Sequence, residues 1–512
     1  MKKSLIALMS VALLGGMSSC SKWLDVDADT RVGESAMFEN GEGMRMALNG
    51  IYRNLASEQL YGGELTYGLV SVLGCDYETA KLPTKYRYLL YEGEWYETYS
   101  RQVIDPVWKK AYNTLANVNN LLQAVEEKDE SFFEWGKLER DVFLAELRGV
   151  RALIHFDMLR LFAPAPIDDD GKAYIPYVEK YPDPQPVALT VNEAMKKIEA
   201  DLLYAQEVLL PYDTAGTQTE ETLAPYAIYT ASCRFSGSTS VLQGDWFQKR
   251  GTRFNYYAAT ALLMRLYMWQ GNKQKAADLA GLFLYKRWWG LWSNYAWTAA
   301  SALKGSNRLN YHRKMYEDII FAGYNTKMQE IWESLTQASS TSYFFRYVQT
   351  YIEDLYKDDE DDLRQNLIEE DLTSTRWTWP EYTSSANSTT GTIRNTQMVL
   401  APIIRTSEVI LMTCEAWAET DLTKAIELMQ QFRTIRGAKR ILDTSMSKED
   451  FLKLVEMEYC REFQSDGQKY YYYKRLNKPV YCGDRDNTPA LDYGKIDAWV
   501  LQKPLDEQSY VL

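Results

Sequence analysis

Apolar residues recur three and four positions apart through most of the chain, the spacing that lines one face of an α-helix. Over 38–56 they are Met44, Ala47, Leu48, Ile51, Tyr52 and Leu55. Over 107–125 they are Trp108, Ala111, Tyr112, Leu115, Val118 and Leu122. The same period predicts helices over 139–162, 191–209, 255–269, 273–285, 407–419, 423–436 and 448–463. Local punctuation agrees. Thr190 and Ser447 stand where N-caps belong, Pro164 and Pro166 end the third helix, Pro211 stops the fourth, and Gly271 separates a close pair. Small residues where two helices meet, such as Ala276 and Ala277 or Ala416 and Ala425, suggest tetratricopeptide-like helix pairs. Four pairs are expected, at about 38–125, 139–210, 253–287 and 405–437. The expected fold is all-α, with long irregular insertions between helices.

The N-terminus breaks the pattern. Lys2 and Lys3 precede an apolar run over 5–14, then small residues and Cys20. This is the layout of a secretory signal peptide, too short to span a bilayer, which takes about 20 residues. The expected organisation is a signal peptide over 1–19, a tether over 20–36 lipidated at Cys20, and a body over 37–512. Met17 stands where leucine is commoner in lipid-attachment signals. Asp25, Asp27 and Asp29 mimic half a calcium loop, but the later glycine and glutamate are missing, so the segment is read as a solvated linker.

Composition narrows the partners. A net charge of −13 repels nucleic acid and anionic membrane faces alike. The five cysteines after Cys20 form no CxxC pair and are read as buried free thiols, with Cys460 to Cys482 the one disulfide considered. The 38 tyrosines and 15 tryptophans outnumber the 16 phenylalanines by far. That excess suits binding surfaces, where a ring face and a polar edge act together. The aromatics crowd irregular stretches, and Trp95, Tyr96, Trp292, Tyr295 and Trp297 are the candidate ligand-binding residues. The run Asp358 to Asp362 is read as a solvated turn.

The chemistry of catalysis is missing from the pattern. Only two histidines occur, His155 within an apolar helix face and His312 in a polar stretch. No nucleophile elbow, zinc-protease helix, phosphate loop or dinucleotide fingerprint is found. No catalytic residue, metal or cofactor is expected.

Several segments together resemble one family. Cys20-Ser-Lys-Trp23-Leu24-Asp25-Val26, the run from Met46 to Tyr52, and above all Glu146 to Pro166 with Arg148, Arg151 and Arg160 carry the likeness. Ile404 to Ala416 and Glu458 to Tyr470 extend it, although Lys469 replaces the usual arginine and the residues from Tyr473 to Arg475 depart from the pattern. Trp499 to Asp506 adds a looser match. These stretches resemble the SusD/RagB family of Bacteroidetes outer-membrane nutrient-binding lipoproteins. The resemblance implies an all-α SusD-like fold, a place on the outer membrane, and a role as lid over a SusC-like TonB-dependent barrel. Its arginines and the acids Glu408 and Glu415 are expected to form ion pairs that fix helix register. The implied cargo is an oligosaccharide or a peptide, and the aromatic content favours the sugar. One ring covering about 50–100 Å² contributes roughly 1–2.5 kcal/mol. Three rings then give micromolar to millimolar affinity after association costs. A glycan-active enzyme and a protein-interaction scaffold are the other classes considered.

Overall fold

The computed structural model describes residues 37–90, 98–214, 234–235, 245–285, 297–304, 311–339, 342–370, 377–378, 398–482 and 500–508. Twelve helices of eight or more residues lie among them. They are α1 (Gly41–Leu55), α2 (Thr98–Glu126), α3 (Gly136–Phe162), α4 (Val191–Asp213), α5 (Tyr256–Trp269), α6 (Lys273–Tyr285), α7 (Met328–Thr336), α8 (Gln349–Tyr356), α9 (Thr406–Thr420), α10 (Leu422–Ile435), α11 (Lys448–Glu462) and α12 (Gln468–Leu476). All nine expected helices are present. Side-chain caps fix several starts: Asn40 accepts the Gly43 N–H, Asp421 that of Lys424 and Ser447 that of Asp450. Thr190 and Glu193 form a reciprocal capping box.

One helix starts earlier than its pattern, and one proline reading fails. α2 begins at Thr98 and runs through Pro106, although proline removes a backbone donor. Val103 and Ile104 are buried, so core packing holds the extra turns. α4 likewise passes Pro211 to Asp213, because Tyr212 and Asp213 are buried and Tyr212 Oη donates to Asp141 at 2.6 Å. No described helix is long and apolar enough to cross a membrane.

The helices stack in sequence order. α1 packs on α2, α2 on α3, α3 on α4, α4 on α5, α5 on α6, α6 on α9, and α9 on α10. The four expected pairs are therefore each in contact, within one continuous apolar core. Gly149 of α3 shows how tightly they meet, since a Cβ there would stand 2.1 Å from the Phe254 ring. Strands, which the helical pattern gave no sign of, complete the frame. β1 (Ala173–Pro176) pairs antiparallel with β2 (Ala188–Thr190), which feeds α4. β3 (Ile319–Tyr324) pairs with β4 (Leu400–Arg405), which runs straight into α9.

Most described tyrosines are inside, filling the interfaces between elements. Tyr67, Tyr77, Tyr86, Tyr347, Tyr351 and the run Tyr470 to Tyr473 are buried. Several of their hydroxyls are served from within: Tyr77 Oη donates to the Tyr67 carbonyl and Tyr86 Oη to Glu64, at 2.8 and 2.7 Å. The four described cysteines, Cys75, Cys414, Cys460 and Cys482, are free, so the Cys460–Cys482 disulfide is not formed; Cys482 is only half-buried.

His155 is a packed core histidine. Its Nε2 accepts the Val178 N–H at 2.9 Å, so Nδ1–H must donate to the Arg151 carbonyl, also at 2.9 Å. The ring stacks on Tyr177. Burial pushes its pKa down to about 3, from 6.5. The neutral ring's stabilisation is therefore present above pH 6.5 and is lost as the pH falls from there toward 3. By pH 5 the loss amounts to about 2 kcal/mol. Wild type and His155→Gln, compared by urea denaturation, should differ less at pH 5 than at neutral pH by that amount. A gap that does not change with pH would refute the assignment.

Candidate ligand-binding surface

The far side of the stack is held by buried ion pairs. Arg364 contacts Asp362 at 2.5 Å, Glu458 at 2.6 Å and Glu462 at 3.1 Å. Glu462 also takes Arg436 at 2.7 Å and Arg405 at 3.2 Å. Arg433 and Arg461 bridge Glu458 to Asp359. Asp359 and Asp362 are 4% and 2% exposed. The acidic run is therefore not a solvated turn throughout: Asp359 points inward to Arg433 of α10 and Arg461 of α11, and Asp362 to Arg364 of the turn that follows it. Burial alone would raise the Glu462 carboxyl, but Arg436, Arg405 and Arg364 outweigh it and hold the pKa at about 2.

The expected register pairs exist with other partners. Arg151 is bidentate to Asp201 of α4, at 2.7 and 2.8 Å, and Arg160 pairs with Asp157 in its own helix. Glu408 takes Arg265 and Glu415 takes Arg475, both at 2.6 Å. Arg148 reaches Glu126 near the surface. Lys469, where the family has arginine, contacts Asp76 at 3.3 Å and Tyr351 Oη at 3.0 Å.

A general acid for sugar cleavage would be a carboxyl with a raised pKa facing solvent. Glu64 is pushed up to about 7 and Asp466 to about 6, both by burial first. Glu64 is occupied by Tyr86 Oη and the Leu69 N–H, and Asp466 by Arg405. These groups serve the scaffold.

The ring surface lies where α2 begins. Leu89 and Leu90 are buried, and Tyr86 packs edge-on against Phe345 at 5.2 Å, anchoring the short turns over 84–90. From this base Tyr88 meets Tyr99 of α2, ring centroids 5.1 Å apart, and Tyr99 is 43% exposed. The pair stands at the two ends of the segment 91–97 that carries Trp95 and Tyr96. Cys20, Trp95, Tyr96, Trp292 and Tyr295 lie outside the described residues. Trp297 is half-buried, with the Arg436 guanidinium 6.0 Å from its ring. The next residue, Thr298, is tied by its N–H to Asp318 at 2.9 Å and by its hydroxyl to Glu317 at 2.8 Å. Trp297 is thus set by the ionic network itself. Tyr99 was missed because it falls eight residues before the α2 start that the sequence suggests.

Comparison with known proteins agrees with this architecture. A family model described as "Starch-binding associating with outer membrane" matches residues 22–236, and one described as "SusD family" matches residues 310–499. No curated protein matches the chain. Solved structures share the fold at length. A SusD superfamily protein from Bacteroides thetaiotaomicron VPI-5482 is 19% identical, with 90% of this chain and 93% of that one covered and a TM-score of 0.61. A SusD-like carbohydrate-binding protein from Bacteroides vulgatus ATCC 8482 is 17% identical over 86% and 84%, with a TM-score of 0.61. A SusD superfamily protein from the same organism is 16% identical over 92% and 97%, with a TM-score of 0.63. Two models of one family that between them take in both halves of the helical stack, together with these neighbours, show that the chain belongs to the SusD/RagB family.

Proposed function

We propose that this chain is an outer-membrane lipoprotein, anchored through Cys20, that captures an oligosaccharide and passes it to a SusC-like TonB-dependent barrel whose lid it forms. The observation that carries the ligand class is the Tyr88–Tyr99 ring pair, Tyr99 exposed and Tyr88 half-buried, on either side in sequence of the segment that holds Trp95 and Tyr96. Sugar C–H faces stack on such rings while sugar hydroxyls take the polar edges. The family description as starch-binding and outer-membrane-associated supports the same reading, as does the carbohydrate-binding neighbour. The buried carboxyls Glu64 and Asp466 are engaged by Tyr86 and Arg405, which supports a cargo held and released intact.

The test is calorimetric titration against neutral oligosaccharides and oligopeptides, with analysis of the recovered ligand. Saturable binding of an unaltered sugar is expected. Tyr99→Ala should weaken it about tenfold, the worth of one stacked ring. A peptide bound in place of any sugar, cleavage of the sugar, or affinity untouched by Tyr99→Ala would each count against the proposal.

A further inference from the structure

α1 forms one wall of a cleft of about 1140 Å³, faced by the stretch 246–253 and the turn that follows β3. Small-molecule sites usually fall at about 300–1,000 Å³, so there is room for several sugar units. Its charge opposes that of the protein. Arg45, Arg53, Lys249, Arg253 and Lys327 line it against only two carboxylates, Glu42 and Glu134, in a chain of net charge −13.

Arg253 and Lys249 still have donors to offer. Arg45 is spent on Glu134 and Glu139, at 2.8 and 2.6 Å. Arg253 is only 6% exposed; its Nε lies 3.0 Å from Glu146 Oε2, a carboxylate that it shares with Arg250, and its Nη1 donates to the Trp246 carbonyl. The guanidinium stacks 3.8 Å above the Trp246 ring. Its Nη2, like the indole Nε1 of Trp246, has no hydrogen-bond partner among the described residues. A buried guanidinium N–H without an acceptor is costly, which favours a ligand that supplies one. Lys249 is exposed at the rim, with its ammonium 5.7 Å from the Tyr324 ring, and holds no ion pair among the described residues. Tyr324 is 41% exposed, a flat apolar platform beside that charge.

We propose that this cleft binds an acidic oligosaccharide, its carboxylate or sulfate held by Lys249 and Arg253 and one sugar face laid on Tyr324. The proposal rests on the reading of the chain as a sugar-capture protein, and adds the charge of the sugar and a second place to hold it. Neither Tyr88 nor Tyr99 lines the cleft, so the two surfaces are separable by mutation.

Trigalacturonate, a sulfated galacto-oligosaccharide and a neutral galactotriose are the probes, titrated into the protein and into its Lys249→Glu and Tyr324→Ala variants. An acidic probe should bind saturably and lose about tenfold in affinity with Lys249→Glu, which removes an attraction and adds a repulsion. Raising salt from about 50 to about 300 mM should weaken it further, and the acidic probe preferred distinguishes carboxylate from sulfate. Acidic binding that ignores salt and both variants overturns the proposal, as does equal affinity for acidic and neutral probes. Neutral sugar bound in a Tyr99-dependent way, with neither acidic probe bound, overturns it and leaves the capture reading standing. No sugar bound at all overturns both.

Discussion

Glu462→Ala is expected to lower the stability of the protein by about 3–5 kcal/mol, a large share of the 5–15 kcal/mol typical of folded proteins. Glu462 is buried and receives Arg436 through Nε and Nη2, Arg405 through Nη1 and Arg364 through Nη1. Removing it leaves three guanidiniums facing one another, all of them buried. Asp318 and Glu458 still neutralise part of that charge, which keeps the expected loss within the range for a single broken buried pair. The folded carboxyl sits at about 2 against an ordinary 4.5, so its stabilisation is present above 4.5 and is lost as pH falls toward 2. Wild type and variant should therefore converge in acid. Urea denaturation at neutral pH is the check, and a loss below about 1 kcal/mol would mean that the network is not the keystone its geometry suggests.

Arg250→Met should act with similar force by the opposite imbalance. Arg250 is fully buried between Glu146 and Asp213, and also donates to the Phe254 carbonyl at 3.0 Å. Glu146 keeps Arg253 and the Tyr52 hydroxyl, whereas Asp213 keeps only the Tyr256 N–H. Burial already raises the Asp213 carboxyl, and loss of Arg250 raises it more. An acid whose folded pKa is raised is favoured at low pH, so the variant should regain stability as the pH is lowered from about 7.5 to about 5. The expected loss at the higher pH is about 3–5 kcal/mol, and Asp213→Leu added to Arg250→Met should recover part of it. A variant equally damaged at both pH values, with no rescue from the second substitution, would contradict this account.

Much of the helical frame is legible in the sequence, because a half-buried helix writes its apolar face at a period of 3.6. The signal fades where a helix is buried on every side. α12 carries Tyr470 to Tyr473 between buried Lys469 and Lys474, and so shows no polar stripe. It also fades where packing overrides a local rule, as at Pro106 and Pro211. Ion pairs are another matter. Arg364 and Glu458 are 94 residues apart and Arg265 and Glu408 are 143, so composition alone could not match them. The same holds for the α1 cleft, which collects Arg45, Lys249 and Lys327 from three separate stretches and left no basic run to read. The ring surface was half legible. Irregular aromatic stretches marked the region, but only the fold separates Tyr86, which anchors it, from the half-buried Tyr88 and the exposed Tyr99.

Asp76 and Lys469 meet across 393 residues, and Tyr77 reaches Ser465 across 388. Neighbouring helices can find each other early, since little chain must be looped to bring them together. The closure between the first hundred residues and the last fifty cannot form until nearly all of the polypeptide is available. The order of assembly is thereby written into the topology. A ribosome-bound or truncated chain builds the middle of the helical stack, yet leaves the pocket of Tyr67, Tyr77 and Tyr347 open and sticky until the final segment arrives to cover it.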